Sequence, residues 1–300
     1  MPERQLGFIG LGHMGGGMVK SLLRARFPVV AYDLMTQLTQ AAVKDGASAG
    51  RSPAEVAARS EVVLSSLPDP AAVEQAVLGQ DGVIEGIRPG QVYIDLSTID
   101  PGTSRKVGAA LAERGAKMLD VPVGKGPPAA AAGDLTLMIG GDRAVVEEVQ
   151  DVLAALGSAQ FYCGPLGSGA ATKLINNLVS CSMLALDAEA MVLAAKAGVD
   201  PDVVCQVMMT TAADNWHLRN TVKPLTLERN FAPRFKLSLA AKDVALALKM
   251  GLDFRVPLAL GQASHLVHSA AMGQGLADED QGACIKAVEH AAGVEARRRS

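Results

Sequence analysis

Leu6-Gly7-Phe8-Ile9-Gly10-Leu11-Gly12-His13-Met14-Gly15 decides the fold. A short apolar strand runs into the spacing GxGxxG, and the residues beyond it read as a helix through about Arg24. A second strand, Val29-Val30-Ala31-Tyr32, ends in Asp33, eighteen residues past Gly15. The glycine spacing alone says little. Set between a strand and a helix, with an acid closing the next strand, it is the fingerprint of a dinucleotide-binding βαβ unit. Gly10 permits the tight turn, Gly12 lets backbone approach a pyrophosphate, and Gly15 lets helix and strand pack closely. The Asp33 carboxylate can accept both ribose hydroxyls and would repel a 2′-phosphate. Leu34-Met35-Thr36 offer no arginine to receive that phosphate, so NAD is expected over NADP.

Outward from this unit, strand and helix keep alternating. Strands are predicted at 62–68, 92–98, 118–123 and 135–139, and helices at 70–78, 103–114 and 144–156. The pattern predicts an α/β, Rossmann-type, doubly wound and mainly parallel sheet over 1–164. Ligands bind outside the carboxyl ends of such strands, so Leu67-Pro68, Ser97-Thr98 and Val123-Gly124-Lys125 are expected to face cofactor and substrate. Beyond Pro165 the strand signals stop. A long helix to about Ala197, apolar on nearly every face, joins this domain to an all-α domain over 165–300, with further helices near 201–210, 237–250, 257–271 and 280–298. Helices this apolar have more surface to bury than one small domain covers, which predicts a homodimer or homotetramer.

Composition narrows the class. A chain of 300 residues, 49% hydrophobic, can bury large cores, and its net charge of −3 gives no electrostatic case for nucleic acid. The one basic run, Arg297-Arg298-Arg299, reads as a solvated helix end. Cys163, Cys181, Cys205 and Cys284 are scattered, so no disulfide framework and no metal site is expected. With Met1-Pro2-Glu3 leading directly toward a strand, neither a signal peptide nor a membrane span is expected, and the chain reads as cytoplasmic.

The stretch Gly167-Ser168-Gly169-Ala170-Ala171-Thr172-Lys173-Leu174-Ile175-Asn176-Asn177 opens the long helix with a polar patch. Lys173, Asn177 and Ser180 recur at i, i+4 and i+7, with Asn176 beside them. A buried lysine has its pKa lowered toward the range useful for proton transfer, whereas a surface lysine on a first turn would do nothing of the kind.

Four motifs in order carry a resemblance over essentially the whole chain: Gly7 to Gly15, Asp95-Leu96-Ser97-Thr98-Ile99-Asp100-Pro101, Gly167 to Asn177, and Lys242-Asp243. The chain resembles the β-hydroxyacid dehydrogenases, the group of 3-hydroxyisobutyrate dehydrogenase and tartronate semialdehyde reductase, with 6-phosphogluconate dehydrogenase more distant. The resemblance implies Lys173 as general acid/base and Asn177 as the residue aligning substrate oxygen and lysine, with Asn176 also at the substrate. It also implies that Gly10, Leu11, Gly12, His13, Met14, Gly15, Asp33, Leu67, Pro68, Thr98 and Lys242 serve the cofactor. The substrate implied is a small anionic hydroxy acid or its semialdehyde.

One departure is informative. Where the family carries Ser-Gly-Gly after the Asp-x-Pro-Val strand, this chain has Gly124-Lys125-Gly126, followed by Pro127-Pro128, a glycine and prolines expected to stiffen the loop here. A glycine followed by a basic residue is similar to the sulfolactaldehyde reductases, where an arginine holds a sulfonate, so Lys125 is expected to hold the substrate's acidic group. A non-catalytic dinucleotide-binding protein of this fold is disfavoured by the presence of Lys173 and Asn177. An imine reductase is disfavoured by that lysine and by Asp33. The non-catalytic dinucleotide-binding protein and an NADP-linked semialdehyde reductase remain as the alternatives. Trp216, His217 and Arg219 form a polar-aromatic segment that reads as a weaker candidate, Arg219 as a second anion contact.

Overall fold

In the computed structural model, which describes residues 4–298, the chain forms two compact units, Met1–Lys173 and Leu174–Ser300. The expectations attached to Met1-Pro2-Glu3 and to Arg299 lie outside the described residues. The first unit is built on one sheet of β1 (Leu6–Ile9), β2 (Val29–Tyr32), β3 (Ser48–Ala49), β4 (Val62–Ser65), β5 (Val92–Asp95), β6 (Lys117–Asp120), β7 (Val123–Gly124), β8 (Thr136–Gly140) and β9 (Ala159–Gly164). Across the sheet the order is β3-β2-β1-β4-β5-β6-β8-β7, with β9 also paired to β8. The strands from β3 to β6 run parallel in that order, and β8 is antiparallel to β6 and β7. The doubly wound sheet read from the sequence is therefore the observed one.

The accompanying helices are α1 (His13–Arg24), α2 (Thr36–Lys44), α3 (Pro53–Ala58), α4 (Pro70–Leu78), α5 (Val83–Gly86), α6 (Pro101–Glu113), α7 (Pro127–Ala132), α8 (Arg143–Glu148) and α9 (Gln150–Leu156). Successive side chains of a strand point to opposite faces, and both faces are covered. Val29 and Ala31 pack with Phe8, Leu64 and Ile94 in the cluster that includes Met18 and Leu22 of α1, while Val30, Val63 and Tyr93 pack with Val56, Val77, Val107 and Leu111. Helix starts are written in cap-proline pairs. Ser52, Asp69 and Asp100 each accept from the first turn through the side chain, and Pro53, Pro70 and Pro101 follow at a position that needs no N–H.

Three features depart from the sequence reading. The strand expected at 118–123 breaks at Val121-Pro122: Pro122 has no N–H for a ladder, and the chain turns so that β7 pairs antiparallel with β8. The Gly126-Pro127-Pro128 segment is the start of α7 rather than a loop, with both prolines in its first turn. The terminal helix expected at 280–298 is a 3-10 turn, Gln281–Ala283, followed by a helix that stops at Ala292, where Gly293 adopts φ 62°. Arg297 and Arg298 are exposed but lie past that helix end.

The second unit is helical. Its helices are α10 (Ser168–Lys196), which runs across the Lys173/Leu174 division, then α11 (Pro201–Met208), α12 (Leu237–Asp253), α13 (Ala259–Gly273) and α14 (Cys284–Ala292). A π-helical segment, Leu218–Thr226, lies between α11 and α12 and contains Pro224, which has no N–H to give; Leu227 N–H reaches back five residues to Val222 at 2.9 Å. By length and composition alone α10 could cross a membrane, but its Leu184, Ala188, Met191 and Val192 belong to the core of this unit, with Leu218, Val222 and Ile285.

Candidate active site

The sheet order puts the carboxyl ends of β2, β1, β4, β5 and β6 in one row. At the end of β1, Gly10 takes φ 89°, and a Cβ there would stand 2.4 Å from the Ser66 carbonyl. A Cβ on Gly15 would stand 1.9 Å from the Gly10 carbonyl, so α1 and the loop meet only because both are glycine. Gly12 is different: a Cβ on it meets nothing within 4 Å, so its backbone faces open space. Gly12 is also the N-cap of α1, no side chain caps that end, and the first turn carries no acid. Leu11, His13 and Met14 complete this loop and first turn. An open glycine face and uncapped N–H groups are the donors a pyrophosphate requires, so the loop fits a dinucleotide.

Asp33 lies against the same loop. Its Oδ2 accepts Leu11 N–H at 2.7 Å and its Oδ1 accepts Met35 N–H at 2.8 Å, leaving each oxygen a lone pair for a further donor. Beside it opens a cleft of about 670 Å³ lined by Tyr32, Thr36, Gln40, Lys44 and Arg51 among others. The fold thus brings to Asp33 a lysine and an arginine absent from Leu34-Met35-Thr36. The Arg51 guanidinium is held by Glu55 at 2.7 Å.

Leu67 and Pro68 follow β4 and Thr98 follows β5, Leu67 and Thr98 half-buried and Pro68 exposed; Leu67 N–H is fixed by the Ser97 hydroxyl at 2.9 Å. Gly124, Lys125 and Gly126 stand at β7 and the start of α7. Lys125 adopts φ 70°, a left-handed conformation unusual for a lysine, and its Nζ pairs with Asp134 at 2.6 Å, both side chains being exposed. The lysine expected to meet the substrate's acid therefore holds an acid of the chain itself, and it draws the Asp134 pKa down chiefly through that hydrogen bond.

On α10, Lys173 is half-buried and Asn177 is 7% exposed. Asn177 Nδ2 donates to Asp243 Oδ2 at 2.6 Å, and its Oδ1 accepts from Asn176 at 3.0 Å, so the amide is held from both ends. Lys242 Nζ lies 3.0 Å from the other Asp243 oxygen, an ion pair without hydrogen-bond alignment. Ser180 Oγ shares a 2.8 Å hydrogen bond with His217 Nε2, whose Nδ1 faces Thr221 at 3.4 Å. Burial lowers the His217 pKa to about 4, so the ring is neutral at physiological pH. Trp216 is exposed with its edge against that ring, and Arg219 is paired with Asp214 at 2.8 Å. Asp243 and His217 are what the sequence reading underrated. The Lys242-Asp243 motif held the first in plain sight, whereas nothing local marks the pairing of residue 217 with residue 180.

Residues 5–164 match the family model for the NAD binding domain of 6-phosphogluconate dehydrogenase, and residues 167–288 the one for the NAD-binding of NADP-dependent 3-hydroxyisobutyrate dehydrogenase. The 2-(hydroxymethyl)glutarate dehydrogenase of Eubacterium barkeri is 35% identical over 97% of this chain and 96% of its own. The 3-sulfolactaldehyde reductase of Escherichia coli (strain K12) is 35% identical over 97% of this chain and 98% of its own. The structure of Mycobacterium tuberculosis 3-hydroxyisobutyrate dehydrogenase with L-serine matches with a TM-score of 0.87 at 29% identity, covering 95% of this chain and 99% of that one. The two family models and these dehydrogenase and reductase relatives make the chain an oxidoreductase of CH–OH groups that uses a nicotinamide dinucleotide. The chain belongs to the β-hydroxyacid dehydrogenase family.

Proposed function

We propose that this enzyme interconverts a small anionic 3-hydroxy acid, carboxylate or sulfonate, and its semialdehyde, with NAD as cofactor and Lys173 as general acid/base. The observation that carries the reading is the polar face of α10: a half-buried lysine one turn before an asparagine whose amide is fixed by Asp243. In oxidation, neutral Lys173 Nζ takes the hydroxyl proton as hydride leaves the same carbon; in reduction it returns that proton to the forming alkoxide. Asn177 holds the oxygen in line, since an amide already anchored loses little freedom on binding. The dinucleotide, when bound, supplies the hydride-accepting ring; Gly10 to Gly15 hold its pyrophosphate, Asp33 its ribose, and Leu67, Pro68, Thr98 and Lys242 its nicotinamide end. Gly124, Lys125, Gly126 and Asn176 receive the substrate's acid. Residues 1–164 serve as the cofactor domain and 165–300 as the substrate and assembly domain of a cytoplasmic homodimer or homotetramer.

The relatives support the substrate class, since their names cover hydroxymethyl, hydroxyisobutyrate and sulfonated aldehyde chemistry. A second reading, use of NADP, draws on Lys44 and Arg51 in the cleft beside Asp33. The deciding assay follows NADH and NADPH absorbance with 3-hydroxyisobutyrate, 2-(hydroxymethyl)glutarate, L-serine and 3-sulfolactaldehyde against neutral alcohols and aldehydes of equal length. Turnover of anionic members with NAD is expected. Binding of NADH without turnover of any member would favour a non-catalytic dinucleotide-binding protein.

A further inference from the structure

Asp120 closes β6 and is 1% exposed. Its Oδ1 accepts Gly167 N–H and its Oδ2 accepts Ala170 N–H, each at 2.7 Å. These two donors flank the start of α10, whose first residue is Ser168. Two N–H groups three residues apart can both reach one small carboxylate only when the turn has a set rotation and a set height above it. Lys173 follows Ala170 by three residues, less than one turn further on.

The surroundings leave that turn nowhere else to go. A Cβ on Gly169 would stand 2.3 Å from the Met138 carbonyl and 2.5 Å from the Asp120 carbonyl. A Cβ on Gly140, the register partner of Asp120 on β8, would stand 2.3 Å from Asp120 Oδ1. Glycine at both places lets helix backbone and strand backbone meet with only the carboxylate between them.

We propose that Asp120 is the positioning residue for Lys173, its carboxylate clamping the first turn of α10 to the end of β6 and so fixing where the lysine stands. The inference rests on the proposed role of Lys173. Asp120 does not touch substrate or cofactor; it acts through the helix it holds. Protonation weakens one side of the clamp, because a carboxyl O–H oxygen is a poorer acceptor for an N–H than a carboxylate oxygen and brings a buried donor that needs an acceptor of its own. Burial raises the Asp120 pKa to about 6, the two N–H bonds opposing that rise. The charge of Asp95, its register partner on β5, also raises it, and the Arg105 guanidinium of α6 lies close to Gly167, one of the two residues the carboxylate holds.

The test compares wild type, Asp120→Asn and Lys173→Ala in the reduction, by NADH, of the carbonyl member of the fastest alcohol–carbonyl pair in the assay above. In that direction a lysine acid is already protonated at low pH, so its own titration produces no acid limb. Asp120→Asn is expected to lower kcat about ten- to a hundredfold, with the Kd for NADH within about twofold of wild type. Wild-type kcat should fall on acidification through about pH 6, and the variant should show no such limb. Asp187, raised to about 6 by burial, is removed as a source of the limb if Asp187→Asn retains it. A kcat for Asp120→Asn within about threefold of wild type, or a loss that tracks NADH affinity, overturns the proposal. If that variant does not fold, the wild-type profile decides, and a kcat flat between about pH 7.5 and about 5 overturns it. Near-normal turnover by Lys173→Ala sinks the underlying reading instead, so the two failures are distinguishable.

Discussion

The glycine loop after β1 and the polar face of α10 are built by opposite means. The loop offers backbone: what matters at Gly10, Gly12 and Gly15 is the absence of a side chain, and its free donors are N–H groups of one contiguous segment. The proposed site on α10 offers side chains, Asn177 held by Asp243 and Ser180 by His217, each far away in sequence. A backbone site is fixed once the local turn forms. A side-chain site is only as good as the packing that delivers its supports.

The largest effect expected on this contrast is at the lysine. Lys173→Ala should lower kcat by about two to four orders of magnitude while NADH still binds, because the loop does not depend on it. Near-normal turnover, or loss of NADH binding, would break the separation between the two regions. A smaller effect is expected at Lys125, where an anionic substrate must draw the ammonium from Asp134. Lys125→Ala should raise KM for the best anionic substrate about ten- to a hundredfold and leave neutral analogues little changed. An unchanged KM would make the Asp134 pair the whole of that lysine's role.

Smaller again is the cofactor preference. Asp33→Ala should narrow the NAD over NADP ratio of kcat/KM by about tenfold, mainly by weakening NAD. Equal use of the two cofactors by wild type would sink the reading of Asp33 and turn attention to Lys44 and Arg51. The smallest effects concern stability. His217, lowered to about 4, binds no proton in the fold where the unfolded ring does, so stability complete above its ordinary 6.5 is lost as pH falls toward 4. Asp187, raised to about 6, works with the opposite sign: its contribution is complete below its ordinary 3.8 and is lost as pH rises through 6. Denaturant titrations between these limits should therefore show a shallower acid loss for His217→Gln and a steeper one for Asp187→Asn. Identical slopes in both variants would mean that neither group titrates as its burial requires.

The same contrast explains what was legible in the sequence. The sheet and glycine loop follow local rules, and the Lys173–Asn177 face follows helical spacing, so all were readable. The Ser180–His217 pair spans 37 residues and the Asn177–Asp243 pair spans 66, separations that no periodicity reports. Arg51 reaches the Asp33 cleft only because β3 lies next to β2. The helix α3 is absent from the sequence reading although Ser52-Pro53-Ala54-Glu55 carries a capping signal, with Ser52 accepting from Glu55 N–H. β9, with Phe161 and Tyr162 exposed, offered no buried alternation to read, and the π-helical segment owes its form to Pro224 within an otherwise helical run.

The long helix α10 has one further consequence, for anyone redesigning the chain. At 100° per residue, roughly, Ile175, Val179, Leu186 and Leu193 fall on the side of the cylinder opposite Lys173, Asn177 and Ser180, and all four are exposed apolar residues. On an ordinary surface helix, exchanging such residues for glutamate is routine polishing that improves handling at high concentration. Here one side of the rod carries the proposed catalytic face, much of the rest is core, and the remaining side presents a row of branched carbon. Sequence libraries that treat exposed positions as free to vary should therefore exempt this helix along its whole length.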